Sequence, residues 1–274
     1  MPHSQPTTAS SSVTPQRRRF VVSDIHGHPE KLLAALQQKN LADGLGAWSG
    51  GNAQLWCLGD YFDRGPDGVG VVDLLIRLSV EAEAAGGEVT ALLGNHEVLT
   101  LGKKRFGSTP INTSLGERSF DNSWLRNQGQ ESDQARLSAQ QLEWLTDRPA
   151  MAQVDDQLLL HSDIVHYRQW GASAEEVNEN VRRILRTADP VELWQLWAAL
   201  TKRNDFQGPD GPASAQGLLR HFGGRHIFHG HSIIGEDEGQ PASANTEPKT
   251  YADGLVTAID GGLHAGGPCL LVEF

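Results

Sequence analysis

Three short polar clusters recur early in the chain at nearly one interval: Asp24-Ile25-His26-Gly27, Gly59-Asp60 and Gly94-Asn95-His96-Glu97. Asp24 and Asp60 are 36 residues apart, and Asp60 and Asn95 are 35 apart. Each cluster ends a short apolar run: Phe20-Val21-Val22, then residues 55–58, then residues 89–93. Pro29 opens a helical pattern through Leu32, Leu33 and Leu36, as proline at a first helical position does. After Pro66 a second pattern runs through Val69, Val72, Leu75, Ile76 and Val80. Strand, helix, strand at this spacing predicts right-handed βαβ units on a parallel sheet. Neighbouring parallel strands then place all three clusters at one carboxyl edge, where α/β sheets bind ligands.

Beyond the third cluster, residues 103–126 are poor in apolar side chains and are expected to form a long loop. Helices are expected near residues 137–145, 174–186 and 190–202. A strand through Leu158-Leu159-Leu160 ends at His161-Ser162-Asp163, and another near residues 225–228 ends at His229-Gly230-His231-Ser232. Gly208-Pro209-Asp210-Gly211-Pro212 is a strong turn signal. Residues 255–259 and 269–274 are expected as two strands joined by a glycine-rich turn. With neither repeats nor a linker, 274 residues are expected to form one domain over 20–274. The Ser/Thr/Pro-rich residues 1–19 are expected as a loose tail without the apolar core of a secretory signal.

Lys+Arg 23 against Asp+Glu 34 leaves a net charge of −11, which argues against nucleic-acid or anionic-membrane partners. No apolar run is long enough to span a membrane. The two cysteines, Cys57 and Cys269, cannot form a thiolate zinc site and fit a reduced, cytoplasmic protein.

The strand ends gather Asp24, His26, Asp60, Asp63, Arg64, Asn95, His96, His161, His229 and His231. Carboxylate, imidazole and amide donors without sulfur suit Mn, Fe or Zn, with Ni or Co tolerated. Several carboxylates at one edge repel one another unless cations lie between them.

These blocks, with Gly59-Asp60-Tyr61-Phe62-Asp63-Arg64-Gly65 and Gly230-His231-Ser232, resemble the calcineurin-like metallophosphoesterase superfamily. Asp63-Arg64-Gly65 points to the branch of serine/threonine phosphoprotein phosphatases and symmetrical dinucleoside-tetraphosphate hydrolases. Residues 91–102 look closest to the Shewanella-like phosphatase subgroup. The resemblance implies a central β-sandwich flanked by helices, with helical and loop insertions. It implies two divalent metals: Asp24 and His26 on the first, Asp60 bridging, and Asn95, His161 and His231 on the second. It implies Arg64 as phosphate clamp, His96 as general acid oriented by Asp63, and attack by a hydroxide bridging the metals. The expected substrate is a phosphorylated protein or a small phosphate ester. A dinucleoside tetraphosphate is the alternative, and a silent scaffold module a third reading. The oligomeric state stays open.

Other readings stand beside these. Asn95 and His96 suit a helix cap, His161 suits a core histidine, and Arg64 could pair with Glu97. Arg203 is the candidate second phosphate-binding arginine, although charges at a helix end usually face solvent. His229 is a neighbour of the site with an open role. Ser162-Asp163 departs from the Gly or Ala usual in relatives, so Asp163 is an extra carboxylate that either supports a ligand or alters substrate choice. The tryptophans are expected in the core.

Overall fold

A computed structural model describes residues 17–114 and 116–274. Of the expected tail, only Arg17, Arg18 and Arg19 fall among these residues; Arg18 pairs with Glu273 and Arg19 opens the first strand. The first half runs β1 (Arg19–Val22), α1 (Pro29–Gln38), β2 (Gln54–Cys57), α2 (Gly68–Ala84), β3 (Glu88–Ala91) and α3 (Asn95–Phe106). Asp67 caps α2 by accepting from Gly70 N at 2.9 Å. The buried face of α2 carries Val72, Leu75, Leu78 and Ala82, and the turn shifts away from Val80, which is 64% exposed.

The chain continues through β4 (Ile111–Thr113), β5 (Gly116–Arg118), α4 (Phe120–Arg126), α5 (Glu131–Arg136) and α6 (Ala139–Thr146). Then come β6 (Met151–Val154), β7 (Gln157–Leu160), α7 (Ala174–Leu185), α8 (Pro190–Leu200) and α9 (Gly211–Phe222). The last elements are β8 (His226–His229), β9 (Lys249–Tyr251), β10 (Val256–Ala258) and β11 (Val272–Glu273).

The first sheet has the order β11-β1-β2-β3, with β1, β2 and β3 parallel as the spacing predicts. The second has the order β6-β7-β8-β10-β9, parallel through β7, β8 and β10. Alternation along each strand builds a sandwich. Val21, Trp56, Leu159 and Phe228 meet between the sheets, together with Leu58, Leu92 and Ile259. Phe20, Val22, Leu55, Cys57, Leu158, Leu160 and Ile227 instead join the larger cluster that includes the helices. Each such aliphatic or aromatic side chain removed from water contributes roughly 1.5–3 kcal/mol, so both faces of both sheets are committed.

Three expectations change. Residues 103–126 are not a loop: α3 continues to Phe106 with Lys103, Lys104 and Arg105 in its last turn, where they complement the helix dipole. A β4–β5 hairpin follows, and Ser119 caps α4 by accepting from Asn122 N at 3.2 Å. The Gly-Pro-Asp-Gly-Pro run is not only a turn, because its end starts α9 with Pro212 in the first turn. The two terminal strands do not pair with each other: β10 lies beside β8, and β11 crosses to pair antiparallel with β1. Among the described residues no helix is long and apolar enough to cross a membrane.

Candidate metal centre

The carboxyl ends of β1, β2, β3, β7 and β8 open at one edge of the sandwich, each into a tight loop. Twelve non-glycine residues have positive φ among the described residues, and six are Asp24, His26, Asp60, Asp63, Arg64 and His231. Such a backbone costs on the order of 1–3 kcal/mol per residue and persists only where its surroundings hold it. Here the loops hold each other: Asp24 N donates to Gly59 O at 3.1 Å, His26 N to Asp60 O at 2.9 Å and Gly27 N to Tyr61 O at 2.8 Å. Gly59, at φ +100°, abuts Gly94, and a Cβ on Gly59 would lie 2.6 Å from Gly94 N. Only glycines allow the second and third loops this approach.

Glu97 completes the lock. Its carboxylate accepts from Asp60 N at 2.9 Å, Tyr61 N at 2.8 Å and Gly94 N at 2.7 Å. Glu97 is therefore spent on backbone amides and does not pair with Arg64. Asn95 is the first residue of α3, after Gly94 at the cap.

The histidines are oriented by backbone carbonyls. His26 Nδ1 donates to Phe62 O and His161 Nδ1 to Leu58 O, both at 2.8 Å, and His231 Nε2 donates to Thr201 O at 3.2 Å. Each ring keeps its other nitrogen as a lone pair, the arrangement usual for metal-binding histidines. His161 Nε2 lies 2.9 Å from Asn95 Oδ1 and 3.2 Å from Asp60 Oδ1, so three electron-rich atoms converge. His26 Nε2 lies 3.7 Å from Asp60 Oδ2 and 3.9 Å from Asp24 Oδ1. Asp24 Oδ2 accepts from Ser23 Oγ and, at 2.8 Å, from His231 N. Among the described residues two groups could hold a metal ion, His26-Asp60-His96 and Asp60-His161-His231, and Asp60 belongs to both.

His96 enters the first group although it is expected as an acid. Its Nδ1 lies 2.7 Å from Asp63 Oδ2, and its buried Nε2 has no hydrogen-bond partner. Asp63 Oδ1 accepts from Trp124 Nε1 at 3.1 Å, so this tryptophan is more than core filling.

Electrostatics agree with a site built for positive charge. Burial, then Asp24 and Glu97, push Asp60 well above the usual carboxylate range, and burial followed by Glu97 does the same to Asp63. Burial holds His26, His96 and His231 well below the ordinary histidine value. Neutral imidazoles and crowded carboxylates, with one orphaned buried nitrogen, form a donor set that divalent cations satisfy.

Arg64 Nη1 lies 3.2 Å from His26 Nε2 and 3.2 Å from His264 Nε2. Arg64, Arg126, Arg203, His231, Glu236 and His264 line a cleft of about 210 Å³. His229 instead meets Tyr251 OH at 2.7 Å and lines a separate cavity of about 380 Å³. Asp163 bridges two segments: Oδ1 accepts from Ser232 Oγ at 2.8 Å, and Oδ2 from Asn204 N at 2.9 Å. It thus ties the residue after His231 to the residue after Arg203. Sequence reasoning missed His264, Asp260, Arg126 and the bond from Trp124. Asp260, buried and raised well above its usual range by burial and then by Asp24, accepts from Gly262 N at 2.8 Å. His264 follows it in the glycine-rich turn, the one signal that could have drawn attention to either.

The sequence profile described as calcineurin-like phosphoesterase matches residues 18–235. Shewanella-like protein phosphatase 2 of Arabidopsis thaliana is 32% identical over 100 residues, 36% of this chain and 26% of that protein. A symmetrical bis(5'-nucleosyl)-tetraphosphatase of Vibrio cholerae is 26% identical over 192 residues, 70% of this chain and 58% of that one. The crystal structure of a cold-active protein-tyrosine phosphatase from a psychrophilic Shewanella species aligns at TM-score 0.72 and 22% identity, covering 94% and 75% of the two chains. That likeness is one of fold.

Proposed function

Because this chain belongs to the calcineurin-like phosphoesterase family, we propose that it hydrolyses phosphate monoesters with two divalent metal ions, acting on phosphoserine or phosphothreonine in proteins. One observation carries the reading: two ligand groups share Asp60 beside a cleft lined by Arg64 and Arg203. Asp24, His26 and Asp60 would hold one ion, and Asp60, Asn95, His161 and His231 the other, from Mn, Fe or Zn. Divalent ions, when bound, supply Lewis acidity to phosphoryl oxygens and lower the pKa of an attacking water.

The chain's own residues do the rest. Arg64 and Arg203 grip non-bridging phosphoryl oxygens, and the planar guanidinium spreads the charge that grows in the transition state. Asp63 holds His96 through Nδ1, so Nε2 is the atom that, once protonated to an imidazolium paired with the Asp63 carboxylate, would pass its proton to the departing alkoxide and leave the neutral ring behind. The loops locked by Glu97 hold these groups at hydrogen-bonding precision before substrate arrives. Free Cys57 and Cys269 support a reducing, cytoplasmic setting.

The Vibrio alignment supports a second reading, hydrolysis of a dinucleoside tetraphosphate, because it extends over 70% of this chain. Purified protein, stripped with chelator and reloaded with Mn, Fe or Zn, separates the cases. Metal-dependent turnover of phosphoserine peptides supports the first reading, and turnover of diadenosine tetraphosphate alone supports the second. Metal-loaded protein inert toward both and toward 4-nitrophenyl phosphate would leave the silent scaffold.

A further inference from the structure

The cleft holds one more cation than a phosphate monoester needs. Arg64 faces His26 and His264, and Arg203 lies 3.8 Å from Glu236. Arg126 lines the same cleft, at the end of α4, and is exposed. Among the described residues no carboxylate lies within ion-pair distance of it. Several surface arginines elsewhere are paired on this acid-rich chain, Arg77 with Glu81, Arg136 with Asp67 and Arg183 with Glu192, while others such as Arg220 bond only neutral groups; Arg126 differs from these by lying in the cleft beside Arg64 and Arg203.

The segment carrying Arg126 is fixed to the site at both ends. Two residues before it, Trp124 donates to Asp63. Two residues after it, Gln128 O accepts from Arg64 N at 3.0 Å. Asn127 Nδ2 donates back to Ser123 O at 2.8 Å. The guanidinium therefore hangs from a braced backbone at the mouth of the cleft. The braced backbone fixes the region of the cleft mouth that the guanidinium can reach.

Charge gives the arrangement its use. A molecule of net charge −11 repels anionic substrates at range, and screening leaves only fields within about 8 Å to act at physiological salt. Metals, Arg64 and Arg203 suffice for the phosphoryl group itself. An additional unpaired arginine suits a further anion on the same substrate.

We infer that the cleft recognises a phosphate ester or anhydride bearing a second anionic group beside the scissile phosphate, and that Arg126 is the residue that selects it. The second anion is a carboxylate of an acidic side chain flanking a phosphoserine, or a further phosphate in a polyphosphate chain. The inference rests on the phosphoesterase reading of this site and narrows its substrates.

The test uses metal-loaded full-length protein and two phosphoserine peptides that differ only in Glu or Gln next to the phosphorylated residue. Diadenosine tetraphosphate forms the third arm. The wild-type protein should favour the Glu peptide in kcat/KM by roughly tenfold, the scale of one charge-assisted hydrogen bond between partly exposed groups. Arg126→Gln should collapse that ratio towards one, and added salt should do so progressively in the wild type. Calorimetry with non-hydrolysable phosphonate peptides should show the same preference in Kd. If Arg126→Gln instead lowers turnover of the tetraphosphate and leaves the peptide ratio flat, the second anion is a phosphate. Equal behaviour of wild type and Arg126→Gln in every arm overturns the inference alone. No turnover of any arm, or of 4-nitrophenyl phosphate, overturns the phosphoesterase reading with it.

Discussion

Trp124 Nε1 donates a 3.1 Å hydrogen bond to Asp63 Oδ1, the carboxylate oxygen that His96 does not use. Both residues are buried, so neither oxygen of Asp63 is left to water. An indole from α4 thus steadies a carboxylate that steadies an imidazole. Trp124→Phe keeps most of the ring and removes the donor. An unsatisfied buried oxygen costs about 1–3 kcal/mol, and part of it is expected in the barrier. Turnover of a phosphoserine peptide should fall by roughly 5–50-fold, and turnover of 4-nitrophenyl phosphate by clearly less. Equal losses on both substrates would make Trp124 a packing residue only.

His96→Asn tests the proton donor itself. An alkoxide leaving group needs protonation and a nitrophenolate hardly does. The substitution should cost roughly 10²–10⁴ in rate on phosphoserine and far less on the aryl ester. Metal content, measured by atomic absorption, distinguishes this from a ligand role, because His96 also sits in the His26-Asp60-His96 group. Loss of one ion with His96→Asn would assign it as a ligand.

Asp60→Asn should have opposite effects with and without metal. In chelated protein Asp60 is a buried carboxylate crowded by Asp24 and Glu97, so neutralising it relieves repulsion. The chelated variant should therefore melt no lower than chelated wild type. With metal the order reverses, because a shared ligand is gone: reloading should raise the wild-type Tm and barely move that of the variant. A large and equal metal-induced shift in both proteins would remove Asp60 from the centre.

Asp163→Leu probes the tether between the two segments. Asp163 accepts from both Ser232 Oγ and Asn204 N, and a leucine of similar size can accept from neither. Freed from Asn204, the Arg203 segment should grip phosphate less well. KM for phosphopeptides is expected to rise about tenfold with a smaller change in kcat and unchanged metal content. Ser232→Ala, which removes only the other bond, should do less.

The repeated interval and the glycine-flanked clusters are local features, and they made the parallel strands and the residues at their ends legible. A strand of four residues ended by Gly-Asp, or by Asn-His, leaves few conformations to choose between. Residues 103–126 were misjudged for the converse reason. Among their few apolar groups, Phe106, Ile111, Phe120 and Trp124 pack on the rest of the molecule, and contacts with distant elements carry no periodicity. The exit of β11 to the first sheet was equally hidden, since strand partnership is a non-local choice.

At the site, residue identity and spacing set which atoms were on offer: carboxylates, imidazoles and an amide at recurring strand ends, with an arginine four residues beyond Asp60. Tertiary structure alone decided their assignments. Backbone carbonyls of Phe62, Leu58 and Thr201 select which nitrogen of His26, His161 and His231 stays free. The folding of the chain also directs Glu97 to amides rather than to Arg64, turns His229 towards Tyr251, brings Trp124 to Asp63, and brings Arg126 and His264 to the cleft. The physical reason is range. Strand ends and tight turns follow from neighbours in the chain, whereas a hydrogen-bond partner is settled only when segments far apart in sequence are pressed together without water.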